Sequence, residues 1–122
     1  MDKNVLVLAY IGDAVYEIYI RKFLIEKGIS KVDLLQKNST NYVSAKSQSK
    51  YVNEMIDLNF LSEDEKSIVL RARNHKGNRH PKNTDIITYK WATGLEALIG
   101  YLFLENKIDR INEIMDYIVK EW

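Results

Sequence analysis

Two acids stand where their neighbours give no ordinary reason for a charge. Asp13 interrupts the apolar run from Leu8 to Tyr16, and Glu96 interrupts the one from Ala92 to Leu104. Aspartate is a mediocre helix-interior residue because its short carboxylate competes for nearby backbone groups. Gly12 beside it costs a helix about 1 kcal/mol relative to alanine, so two unfavourable choices in succession ask for close approach by a backbone, a metal or a substrate. Glu96 keeps the same company, with Gly94 and Gly100 on either side. A carboxylate withdrawn from water needs a proton, a partner or a cation. Two of them on separate helices, without a matching buried base, point to a shared divalent ion, and carboxylate oxygens favour Mg²⁺ or Mn²⁺. The plainer alternative puts each acid on a solvated edge or beside an Arg or Tyr. For either acid alone that alternative leads; for both together, each flanked by glycine, the metal leads.

A second feature is electrostatic. The net charge of the 122 residues is only +1, but Arg71, Arg73, Lys76, Arg79, Lys82 and Lys90 crowd one stretch in which Asp85 is the lone acid. A basic island on a near-neutral chain is the footprint expected for a phosphate polyanion. Arg73, Lys76, Arg79 and Lys82 are the candidate phosphate contacts, with Lys46 and Lys50, one turn apart, as weaker ones. For any single lysine a solvated surface charge is the better guess; for the cluster, binding of a phosphate polyanion is favoured.

The elements that must position these residues read as helices almost throughout, so the expected fold class is all-α. Apolar residues from Val5 to Leu24 recur at three- and four-residue spacing, which predicts one long helix ending near Gly28. Residues 31–36 predict a short helical turn, and Ser39-Thr40 a cap for a helix facing inward with Tyr51, Met55 and Leu58. Ser62 followed by Glu65 is a capping-box pattern for a helix carrying Ile68, Val69 and Ala72. The 74–84 stretch holds Pro81, the only proline, and predicts a loop. A further helix from Asp85 or Ile86 to about Glu105 carries Glu96, and a last one shows Ile108, Ile111, Ile114 or Met115, and Ile118 at helical spacing.

Several classes are excluded or disfavoured. With no cysteine there is neither a disulfide framework nor a thiolate metal site. The start Met1-Asp-Lys-Asn4 lacks the basic, cleavable pattern of a secretory signal, and Asp13, Glu17, Arg21 and Lys22 break the apolar stretch too often for a membrane span. A cytoplasmic protein with no membrane partner is expected, and the length fits one domain spanning residues 1–122.

The same motifs resemble a known family. Ile11-Gly-Asp-Ala-Val15 resembles the Leu-Gly-Asp-Ala-Val core of the ribonuclease III motif, and Glu96-Ala-Leu-Ile-Gly100 matches the family's second motif, whose glutamate binds the catalytic metal. Leu8 to Glu17, Pro81 to Asp85 and Thr93 to Tyr101 are similar to the Mini-ribonuclease III branch, a catalytic domain without a separate double-stranded-RNA-binding domain. The resemblance implies a homodimeric, Mg²⁺-dependent endoribonuclease (Mn²⁺ a possible substitute) that cuts double-stranded RNA to 5′-phosphate and 3′-hydroxyl ends. It further implies maturation of precursor 23S rRNA. It carries catalytic and metal-binding roles to Asp13 and Glu96 alone. The larger enzymes have a glutamate where this chain has Ala9 and an aspartate where it has Thr93, which leaves the number of ions open. Glu17, one turn after Asp13, either faces the same site or is a surface acid on the helix flank.

Three rivals remain at this point. A non-catalytic RNA-binding ribosome-assembly module keeps the acids as structural groups. A helical scaffold associates through the Ile108–Ile118 stripe. A small-nucleotide phosphohydrolase lacks its expected His-Asp cluster.

Overall fold

The structure is a computed structural model that describes residues 4–76 and 85–120. Those residues form six helices and no strand: α1 (Val5–Glu26), α2 (Val32–Val43), α3 (Ala45–Asp57), α4 (Glu63–Arg73), α5 (Ile86–Leu104) and α6 (Ile108–Val119). The all-α expectation holds.

The centre of the molecule is α5, which packs against α1, α3, α4 and α6. Its inward residues Leu95, Leu98, Ile99 and Leu102 meet Tyr16 and Ile20 of α1, Val52 and Met55 of α3, and Ile111, Ile114 and Ile118 of α6 in one buried core. A smaller cluster joins Val5, Leu8 and Ala9 of α1 to Ile68 and Ala72 of α4 and Ala97 of α5. The α6 stripe is therefore spent on the chain's own core, except for Ile108, which is 40% exposed. A scaffold that associates through that stripe loses its surface.

Glycine explains how closely α1 and α5 approach. A Cβ on Gly12 would lie 1.7 Å from the Glu96 carbonyl oxygen, and one on Gly100 would lie 1.9 Å from the Leu8 carbonyl oxygen. No side chain fits either place, so these two helices touch backbone to backbone. Of the three reasons open for Gly12, backbone approach is the one realised.

The helix ends follow from local chemistry. Asn4 caps α1 by accepting from the Leu6 amide, and Ser62 and Glu65 form the expected capping box on α4. Three helices stop in the same way. Gly28, Asn59 and Asn106 adopt positive φ after α1, α3 and α5, and the next amides, of Ile29, Phe60 and Lys107, reach back to the carbonyls of Leu24, Met55 and Leu102.

Three sequence expectations need correction. The 31–36 turn is the start of a full helix, α2, and the cap between α2 and α3 is Ser44, not Ser39 or Thr40. The hydroxyls of Ser39 and Thr40 donate to the Gln36 carbonyl within α2, which uses them up inside the helix instead of at its end. Leu58, expected to face inward, is 65% exposed because it terminates α3 where the chain turns at Asn59.

Candidate active site

The close contact at Gly12 brings the two odd acids together. Asp13 follows Gly12 on α1, Glu96 is the residue whose carbonyl Gly12 touches on α5, and their carboxyl groups come within hydrogen-bonding reach of each other. Asp13 lies on the exposed side of α1, whereas Glu96 is half-buried between helices. Burial, then the hydrogen bond and the negative charge of Asp13, push the Glu96 carboxyl up to about 8, with Glu17 adding a smaller push. The sequence reading named both residues, and the structure places them in one site.

The remaining acids divide plainly. Glu17 pairs with Arg21 at 2.8 Å on the flank of α1, the surface-acid reading, while still close enough for Glu96 to feel its charge. Ala9 is buried in the α1–α4–α5 contact. Thr93 is 5% exposed and its hydroxyl donates to the Tyr89 carbonyl one turn back. Neither position carries a carboxylate, and among the described residues no group of three or more His, Asp or Glu side chains gathers into a metal cluster.

One polar residue at the site escaped the sequence reading. Gln48 of α3 is 2% exposed. Its amide nitrogen donates to the Val43 carbonyl at 3.0 Å and approaches a Glu96 carboxylate oxygen at 3.5 Å. Because a carbonyl can only accept, the Val43 contact fixes which end of the Gln48 amide is nitrogen. Its oxygen is buried with no hydrogen-bond partner. The signal was present in the chain: Gln48 lies four residues before Val52 and seven before Met55, both fully buried, so it is a polar residue in an apolar register. The Ser- and Lys-rich surroundings of α3 masked it.

Nearby, the Tyr16 hydroxyl is buried and donates to the Tyr42 carbonyl at 2.6 Å, tying α1 to the end of α2 beside the site. Burial, followed by the neighbouring Tyr51 and Glu96, pushes that phenol far above its usual value, so it stays neutral.

Two adjacent carboxylates, one of them desolvated and carrying a raised pKa, form a donor set short of positive charge. That set fits a hard divalent cation, which needs only one or two protein carboxylates when water and phosphate oxygens fill the other places.

The basic candidates fare unevenly. The Arg73 guanidinium lies 4.7 Å from the Trp91 ring centroid and donates to Asn74, so it braces α4 against α5. Lys76 is exposed just past α4, as are Lys46 and Lys50 on α3. Arg79 and Lys82 lie outside the described residues, together with His80, Pro81 and most of the expected 74–84 loop.

Comparison with known proteins adds independent findings. The family model of the ribonuclease III domain matches residues 6–107. A Mini-ribonuclease 3 from Enterococcus faecalis is 42% identical over 118 residues, covering 97% of this chain and 89% of the relative. One from a Thermoanaerobacter species is 45% identical over 115 residues, covering 94% and 80%. A crystal structure of a protein from Fusobacterium nucleatum superposes with a TM-score of 0.85 at 36% identity, covering 97% of this chain and 93% of that one.

Proposed function

The chain belongs to the ribonuclease III family, in its Mini-ribonuclease III branch, and on that premise of an endoribonuclease we propose how and on what it acts. The reaction is hydrolysis of phosphodiesters in double-stranded RNA, leaving 5′-phosphate and 3′-hydroxyl ends, and its cofactor is Mg²⁺, with Mn²⁺ as a substitute. The observation that carries this reading is the meeting of Asp13 and Glu96 across the glycine-mediated contact of α1 and α5.

Asp13 and Glu96 would hold the ion. When bound, it supplies a more acidic water and stabilises charge developing on the phosphate oxygens. The chain's own contribution is placement. Gly12 and Gly100 lock the two helices, so the carboxylates are held on rigid elements. The half-buried setting of Glu96 limits competing water, and its negative neighbours favour exchange of a carboxyl proton for a cation.

RNA contact falls to Lys76, Arg79 and Lys82, while Arg73 is held against Trp91 at the end of α4. Duplex RNA is read mainly through its shape, phosphates and 2′-hydroxyls, which surface cations suit. The working form is a homodimer. Its support is an apolar stripe along the outer face of α1, where Val7, Tyr10, Ile18 and Ile25 are 52%, 81%, 66% and 59% exposed. Tyr10 is the most open of these side chains, and a second copy is a natural cover. The biological substrate is the paired ends of precursor 23S rRNA.

The test is cleavage of an end-labelled RNA duplex, with a DNA duplex of the same sequence as control, in Mg²⁺ and in EDTA. Cutting of RNA alone, only with Mg²⁺, and giving 5′-phosphate ends is the expected result. Binding without cutting of an rRNA-derived stem would instead favour a ribosome-assembly module.

A further inference from the structure

Gln48 holds a position that neither packing nor the helix ends fully explain. An amide on a buried helix face costs stability unless both of its ends are paired, and here only the nitrogen end is. The Val43 carbonyl, at the last residue of α2, takes one of the two amide hydrogens. The second hydrogen is left for the Glu96 carboxylate, whose oxygen lies 3.5 Å from the same nitrogen. Leucine or methionine would fill this space without an unpaired side-chain oxygen, giving up only the Val43 bond, so the amide needs a reason beyond filling.

We infer that Gln48 is a positioning residue, which orients the Glu96 carboxylate so that one oxygen is held by the amide and the other is free for the divalent cation shared with Asp13. The inference rests on the metal-binding reading proposed above. Its logic is directional. A carboxylate on a three-bond side chain can rotate out of a site, and a donor anchored on a second helix opposes that rotation. The anchor is firm because Ser44 accepts from the backbone amide of Ser47 at the start of α3, which fixes the turn that presents Gln48. A hydrogen bond this long in the free protein is expected to shorten when the carboxylate is drawn onto a cation.

The experiment compares the full chain with Gln48→Met and Gln48→Leu. It measures Mn²⁺ binding without RNA, melting temperature in EDTA, and kcat and KM for RNA cleavage across a Mg²⁺ titration. Each variant loses the Val43 bond but also removes the unpaired buried oxygen, so the melting temperature stays close to that of the parent chain. Mn²⁺ affinity falls about 10-fold or more, as is usual when the group orienting a metal ligand is removed. The Mg²⁺ needed for half-maximal cleavage rises similarly, while KM for RNA at saturating metal does not move. In a Glu96→Gln background the same substitutions change cleavage no further.

Unaltered Mn²⁺ binding in two folded variants overturns the inference and leaves the metal-dependent nuclease standing. A raised KM with unchanged metal dependence also overturns it. Should both apolar variants fail to fold, Gln48 is a structural residue and the inference falls. A parent chain that neither binds Mn²⁺ nor cuts RNA overturns the underlying reading as well.

Discussion

At the scale of single residues, Glu96 sets stability against function. Its folded pKa of about 8 lies above the ordinary carboxyl value of 4.5. Below pH 4.5 the carboxyl is protonated in both folded and unfolded chains, and it costs nothing. As pH rises above that value the unfolded chain ionises freely while the folded one resists, so stability is lost progressively until the pH passes about 8. Glu96→Gln removes that loss. Thermal melting in EDTA is expected to show the variant more stable than the parent at pH 9, by roughly 3 °C or more, with the difference vanishing near pH 4. An equal difference at both pH values would mean that the carboxylate is not strained by its surroundings. Both catalytic candidates were legible in the chain because a charge near glycine in an apolar helix breaks two rules at once. Gln48 breaks only one, and within a polar stretch, so it became visible only when α3 was seen to bury it.

At the scale of elements, two contacts decide the architecture. Gly12 and Gly100 allow α1 and α5 to touch, and Gly12→Ala pushes a methyl into the Glu96 carbonyl. The expected outcome is loss of at least about 3 kcal/mol, read by urea unfolding, together with loss of cleavage because Asp13 and Glu96 separate. The other contact ties α6 to α4. The Arg110 guanidinium donates to both Glu65 carboxylate oxygens at 2.8 and 2.9 Å and to the Phe60 carbonyl at 2.6 Å. Burial alone would push Glu65 up, but the Arg110 bonds, with help from Ser62, outweigh it and hold the carboxyl below its ordinary value. Stability from this pair is therefore full above pH 4.5 and is lost as pH falls through the lowered pKa. Glu65→Gln is expected to cost about 2 kcal/mol at pH 7 and to flatten the acid limb of the stability curve. The capping box foretold half of this arrangement; the Arg110 partner, 45 residues away, leaves no local pattern to read. The same limit explains the misplaced cap at Ser39-Thr40. Hydroxyls that bond back within a helix and hydroxyls that cap one look alike until the neighbouring carbonyl is located.

At the scale of the whole molecule, the cations must act on a near-neutral chain, so their placement matters more than their sum. Arg73 is committed to Trp91, which makes it a poor choice for a clean charge test. Neutralising Lys76, Arg79 and Lys82 to Gln together is expected to weaken RNA binding in a salt-dependent way. The slope of log affinity against log salt should shrink by about one for each phosphate contact removed, measured by filter binding in EDTA. An unchanged slope would move the RNA surface elsewhere. The exposed α1 stripe carries a second expectation at this scale. Tyr10→Glu should convert dimer to monomer in light scattering if that face is the one a second copy covers.

The central claim is that Asp13 and Glu96 share a divalent ion. Single-turnover cleavage of an RNA duplex by Asp13→Asn, Glu96→Gln and the double variant, beside RNA binding in EDTA, tests it directly. Each single variant should lose more than about 100-fold in rate while still binding RNA, and the double variant should lose little more than either, because residues that act as a unit are not additive. Retained cleavage in either single variant, or losses that multiply in the double, would contradict a shared ion.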